Sequence, residues 1–341
     1  MPIHCSVPAK LILSGEHAVL YGAPALSLAI DLPTQCTLDF KAANQSKIEI
    51  HLLDYQQHQA WSFNQAWQQA QVIATRYHQF QQQQLGIRQV CQSPFDLVLL
   101  CLFYVNQCSP LTPGHWRLEI QSNAWVGRGL GSSAAVIVSV LAALFKQQQL
   151  DDPNALLQMA KTIESYQHGQ SSGLDPITIF HGGLLRYQRG EALQHLPNHP
   201  LQAWLIDSGE PQSTTGECVA AVKTHYAQDT TLWQRFADCT QLMHLAWLQQ
   251  NQAALKQAVH INQQLLTTIG VVPPKVTAFI AALQQQDLAA KICGAGSING
   301  DAAGVIMAIG LNDPSDLCRQ WGYRCQAIQL QQQGAHCVNE L

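Results

Sequence analysis

The sequence predicts an α+β protein in two lobes. Three observations carry that expectation. Strand-like alternation and helical apolar spacing are interleaved through the first half of the chain. A polar stretch over 189–200, with Gly190, Pro197 and Pro200, interrupts them. Beyond it, a run of helices passes into a closing alternation of strand and helix, and there is no internal repeat. The expected lobes are residues 1–190 and 191–341.

The elements follow in order. Strands are expected at 10–14 (KLILS), 35–41, 47–53 and 116–122, where apolar residues alternate. Helices are expected at 64–84 and 93–107. A long Ala/Leu-rich helix is expected from Ser132 to Lys146, with Ser132 as its N-cap. Asp152 followed by Pro153 marks the N-cap and first turn of the next helix. Gly182-Gly183 breaks the chain before a short strand at 184–188. In the second lobe a strand at 201–209 precedes helices at 214–226, 231–250, 252–270 and 274–286. Strand and helix then alternate through 290–330.

Composition narrows the class. Hydrophobic residues make up 47% and charged residues 12% of 341, which fits a globular chain and excludes a disordered one. A net charge of −4 gives no basic footprint for nucleic acid. Eleven cysteines, with no Cys-x-x-Cys pair, point away from zinc and toward buried free thiols in a reducing compartment. The first residues lack a charged start and a long apolar core, so no signal peptide is expected. The longest apolar runs are too short for a membrane span. A cytoplasmic protein without a membrane partner is the expectation. The glutamine clusters at 81–84 and 331–333 read as solvated surface.

The chemistry begins at VGRGLGSSAAV, residues 126–136. Alternating glycines can take positive φ and bring backbone N–H groups close to a ligand. A glycine loop that feeds a helix N-terminus is an anion site, since free donors and the helix dipole point the same way. It is not a P-loop, because no lysine follows Gly131. Nor is it a dinucleotide loop, because a second helix, not a strand, follows the first. Three more segments stand out. PAKLILSGEHAVLYGAPAL, 8–26, puts a lysine at a strand start and Gly-Glu-His at its end. HGQSSGLDPITIFHGGLLRY, 168–187, follows Glu164 and carries Asp175, two acids separated by a turn. A kinase needs one carboxylate for Mg²⁺ and another for the hydroxyl proton. KICGAGSINGDAAG, 291–304, is a second glycine-rich loop, between two strands.

Together, in this order, these segments resemble the GHMP kinase family, from Pro8 to Gly304. DSGEPQSTTGECV, 207–219, is similar to the start of that family's second lobe. The resemblance implies an N-terminal lobe like the second domain of ribosomal protein S5, with ATP and substrate held between the lobes. Residues Gly127, Gly129, Leu130, Gly131, Ser132, Ser133 and Ala134 would wrap the ATP phosphates. Ser133 and Glu164 would hold Mg²⁺. Asp175 would be the base at the substrate hydroxyl, with Lys10 beside it to stabilise negative charge. Glu16, His17, Gly294, Ala295 and Gly296 would face the substrate.

The branch most resembled phosphorylates the primary hydroxyl of mevalonate. Ala18, Val19 and Leu20 after Gly-Glu-His suit a methyl-bearing aliphatic acid better than a sugar. Phosphomevalonate, homoserine and sugar kinases of the family, and non-catalytic sensors of the same fold, stay open at this point, as does a homodimer. The third loop departs from the family pattern. Cys293 stands in place of a threonine, and Ser297-Ile298-Asn299 in place of glycines. A β-branched residue rarely takes positive φ, so residues 297–299 are expected to leave the family path. Ile298 and Asp301 are then expected to lie away from ATP.

Overall fold

Pro8 stands inside the first strand, and the strand changes sides there. The computed structural model describes residues 1–339. In it β1 runs over Ile3–Ser14, well beyond the expected 10–14, paired antiparallel with β2 (Ala25–Ala42). Their register shifts between Val7 and Ala9, at the proline, which has no N–H to give to the ladder. Before the shift the odd residues Ile3, Cys5 and Val7 enter the core of the first lobe. After it the odd residues Ala9, Leu11 and Leu13 enter a different core, shared with the second lobe. The even residues Lys10 and Ile12 thereby turn toward the helix that carries Asp175.

The first sheet also holds β3 (Lys47–Leu52), β4 (Gln57–Ser62), β5 (Gly114–Ser122), β6 (Leu184–Tyr187) and β7 (Gln194–Leu196). Helices α1 (Phe63–Gln81) and α2 (Asp96–Cys108) lie between β4 and β5. Helices α3 (Ser132–Gln147), α4 (Pro153–His168) and α5 (Leu174–His181) lie between β5 and β6. Helix α3 is buried nearly all round, as its composition predicts, and packs on β1 and β2 between α2 and α4. Its N-cap is Gly131 in a left-handed conformation, not Ser132. The loop arrives with positive φ, and Ser132 is already the first helical residue. Asp152 caps α4 by accepting from the Ala155 N–H at 2.9 Å, with Pro153 in the first turn.

The second sheet is made of β8 (Ala203–Asp207), β9 (Ala289–Ile292), β10 (Val305–Ile309) and β11 (Arg324–Ala327), in the order β11-β8-β10-β9. Around it lie α6 (Thr215–Tyr226), α7 (Thr230–Leu248), α8 (Gln252–Thr268), α9 (Pro274–Gln285) and α10 (Ser315–Trp321). The architecture is α+β, with one core under each sheet and a third joining them through Leu11, Leu28, Leu205, Met243 and Met307.

Two strands cross the expected change-over at 190/191. β7 lies in the first sheet, and β12 (His336–Asn339) returns from the end of the described chain to pair with β1. There Cys5 faces Cys337 and the two form a disulfide, so the expectation of free thiols throughout is corrected. Two residues 332 positions apart met through strand pairing, which no local pattern announces. The other nine cysteines are free, and most of them are buried. Among the described residues no helix is long and apolar enough to cross a membrane.

Candidate active site

A cleft of about 720 Å³ opens between the two lobes. Its walls come from both glycine loops, the turn between α4 and α5, the segment before α2, and the turn after β8. The two loops touch each other. Gly129 has φ +84°, and a Cβ on it would stand 2.5 Å from the Cys293 carbonyl oxygen, so only glycine permits this approach. Gly131 has φ +71°, and a Cβ there would collide with the Lys10 side chain. The Lys10 N–H donates to the Leu130 carbonyl at 3.1 Å. Backbone and side chain of Lys10 thus both rest on the loop. The loop opens onto the first turn of α3, whose N–H groups at Ser132, Ser133 and Ala134 have no acceptor within the helix.

Lys10 reaches across to α5, where its Nζ lies 2.9 Å from Asp175 Oδ2. The N-cap of that helix is Gly173, and Asp175 sits inside the first turn with its carboxylate 24% exposed to the cleft. Glu164, late in α4, is buried, and Ser171 Oγ donates to its carboxylate. Burial, and then the neighbouring Asp175 carboxylate, push Glu164 up to about 8. Ser171 also accepts from the Gly173 N–H at 3.0 Å, which ties the Ser-Ser-Gly turn to the acid before it. Ser133 Oγ lies 3.1 Å from His168 Nε2. Burial holds His168 below its ordinary value, so the ring is a neutral partner.

The Gly-Glu-His corner divides in two. His17 takes φ +55°, and its Nε2–H donates to the Ala295 carbonyl at 3.0 Å. Its Nδ1 is buried without a hydrogen-bond partner. Burial lowers the ring to about 4, so Nδ1 is an acceptor in wait of a donor. Glu16, expected to face the substrate, is engaged by Lys291, the two side chains being 1% and 0% exposed. Lys291 Nζ also donates to the carbonyls of Ile12 at 3.1 Å and Ile292 at 2.7 Å. Burial lifts Glu16 against the pull of Lys291. For Lys291 burial is the largest cause and works downward, but the Glu16 charge and hydrogen bond, together with the nearby Cys293 and Cys239 thiols, raise the lysine on balance. This pair fastens the end of β1 to the strand that leads into Cys293–Gly296.

The cleft therefore gathers Lys10, Glu16, His17, Glu164 and Asp175, with Gly127, Arg128, Gly129, Gly131, Ser132 and Ser133 of the first loop and 294–296 of the second, whereas the side chains of Leu130 and Ala134, expected at the phosphates, are buried in the cores. Ile298 and Asp301 do not line it, in keeping with the expectation for the divergent loop. Sequence reasoning passed over Lys291, His168 and Arg128. Each lies within a quoted motif, and only its partner in space gives it meaning. The partner of Lys291 is 275 residues away.

Comparison with known proteins places the chain in a family. The family model of the GHMP kinases N terminal domain matches residues 96–183. The mevalonate kinase of Pyrococcus abyssi is 30% identical over 309 residues, covering 85% of each chain. That of Archaeoglobus fulgidus is 32% identical over 298 residues, covering 85% of this chain and 88% of its own. The crystal structure of Methanococcus jannaschii mevalonate kinase superposes with a TM-score of 0.76 at 19% identity, covering 97% of this chain and 98% of its own. The chain belongs to the GHMP kinase family, on the branch that holds the mevalonate kinases.

Proposed function

We propose that the protein transfers the γ-phosphoryl group of ATP to the primary hydroxyl of mevalonate. The observation that carries this reading is the Lys10–Asp175 pair, 2.9 Å apart and open to a cleft lined by a glycine loop at a helix N-terminus. Asp175 accepts the hydroxyl proton as the oxygen attacks phosphorus and ADP leaves. Lys10 stands beside the oxygen and offsets the charge that grows there. The loop N–H groups at 127–134 hold the phosphates, so the chemistry is mostly positioning. His17 Nδ1 offers an acceptor to a substrate hydroxyl, and Val19 and Leu20 present aliphatic surface on the same corner, while Ala18 is buried in the core behind them. Glu16 acts through Lys291, by holding the 294–296 loop that supplies the facing wall.

Mg²⁺ fits the residues present. Among the described residues no three His, Cys, Asp or Glu side chains are grouped to hold a metal by themselves. Mg²⁺ takes one or two protein oxygens and completes its shell with phosphate and water. A Glu164 carboxyl raised by burial beside a second acid is a site short of positive charge. Glu164 and Ser133 would hold the ion, which supplies charge neutralisation to the phosphates. Glu164→Gln should then move the magnesium activation curve several-fold higher, and an unmoved curve removes Glu164 as a ligand.

The test of the whole reading is ATP turnover against mevalonate, phosphomevalonate, homoserine and galactose. Mevalonate should be preferred by orders of magnitude. Preference for another acceptor, or none, overturns it.

A further inference from the structure

Arg128 stands between two glycines of the first loop. Its guanidinium is fixed along one edge only. Nε donates to Asp207 Oδ1 at 2.9 Å, and Arg324 Nη2 donates to the other oxygen of Asp207 at 2.8 Å. Asp207 is buried at the end of β8 and also accepts from the Gly209 N–H at 2.9 Å. The Arg324 guanidinium lies 5.6 Å over the ring of Trp125, just ahead of the loop. The backbone is held as well, since the Arg128 carbonyl accepts from the Val305 N–H at 2.9 Å. The second lobe therefore sets where Arg128 points.

The other edge is different. Nη1 is buried with no hydrogen bond, and Glu210 Oε2 stands 3.4 Å from it. The Glu210 side chain is 76% exposed. Its Oε1 lies 3.6 Å from where a Cβ on Gly127 would be. A loosely held carboxylate thus covers the first glycine of a loop whose donors suit an anion. A guanidinium accepts a carboxylate or a phosphate in the same forked geometry, and it prefers the ligand with more charge.

We propose that Arg128 is a ligand of the ATP phosphates, and that the Glu210 carboxylate occupies its open edge until ATP displaces it. Asp207 keeps Nε throughout, so the guanidinium binds without reorganising. The proposal rests on the ATP-dependent reading above.

The experiment is calorimetric binding of AMP, ADP and ATP to the wild type, Arg128→Gln, Glu210→Gln and the double variant. Glu210→Gln removes an exposed competitor and should tighten ATP about two- to fivefold. Arg128→Gln should weaken ATP about tenfold or more, with the loss growing from AMP to ADP to ATP. In the Arg128→Gln background the gain from Glu210→Gln should fall below about twofold, because the two residues act on one contact. A uniform loss across the three nucleotides would make Arg128 scaffold alone and overturn the proposal. So would an equal gain from Glu210→Gln in both backgrounds. If Arg128→Gln does not fold, Glu210→Gln decides alone, and no gain in ATP affinity overturns the proposal. Wild-type protein that binds ATP but ignores mevalonate defeats the substrate reading and leaves this test intact. Wild-type protein that binds no ATP defeats both.

Discussion

Two lysine–carboxylate pairs lie a few residues apart, one at Lys10 within β1 and one at Glu16 just past its end, and they do opposite things. Lys10 and Asp175 meet at the cleft, where the Asp175 carboxylate keeps 24% of its exposure. Glu16 and Lys291 meet where exposure is 1% and 0%. The chemistry of the groups is the same. What differs is access. Asp175 has an oxygen that a substrate hydroxyl can approach. Glu16 borders the same cleft, but one of its oxygens is held by a lysine whose Nζ is shared among a carboxylate and two carbonyls, and the other is buried without a partner. A pair open to a cleft can take part in a reaction. A sealed pair sets geometry, and breaking it leaves a buried charge without compensation.

The largest expected effect tests the open pair. Asp175→Asn keeps shape and removes the base, so turnover should fall about 10²- to 10⁴-fold, with a smaller loss of stability than breaking the sealed pair, since the amide oxygen can still accept from the buried Lys10. Near-normal turnover would take Asp175 out of the mechanism. The sealed pair should behave the other way round. Lys291→Met leaves Glu16 buried alone and should cost about 3–5 kcal/mol in denaturant unfolding, and adding Glu16→Gln should recover most of it. Should the double variant be no more stable than the single, the pair is not what holds the corner.

His17 sharpens the comparison from between the pairs. Its folded pKa is about 4 against an ordinary 6.5. A neutral buried ring adds stability above pH 6.5, and that stability drains away as pH falls toward 4, because the unfolded chain binds the proton first. At 1.36 kcal/mol per unit, the drop amounts to about 3 kcal/mol. His17→Asn tolerates the positive φ and should flatten this acid limb. An identical limb in the variant would assign the effect to other groups. The smallest effect is expected outside the cleft. Ile298→Gly and Asp301→Asn should leave the KM values for ATP and mevalonate within about twofold, as neither charge nor side chain reaches the phosphates. A several-fold gain in ATP affinity from Asp301→Asn would place that acid beside them.

Much of the site was legible because its signals are local. The 127–131 glycines, the Asp152-Pro153 cap and the Ser-Ser-Gly turn before Asp175 each need only neighbouring residues to take their shape. The N-cap of α3 was misplaced by one residue for a local reason too. A serine is the usual cap, but here a glycine with positive φ delivers the chain. β4 escaped notice because it is almost wholly exposed and carries no apolar alternation.

By itself the sequence determined the α+β class, the two glycine loops, most helix positions, and the residue types that kinase chemistry requires. Those follow from propensity, periodicity and turn chemistry, all short-range. Tertiary structure alone decided which carboxylate each lysine meets. The register shift at Pro8 turns Lys10 toward α5, while β9 brings Lys291 up against Glu16. It also decided that β12 closes onto β1, joining Cys5 to Cys337, and that Glu210 folds over the loop beside Arg128. Each of these contacts joins residues far apart in the chain. Their pairing is set by which faces the strands bury, and a one-residue shift of register reverses that choice.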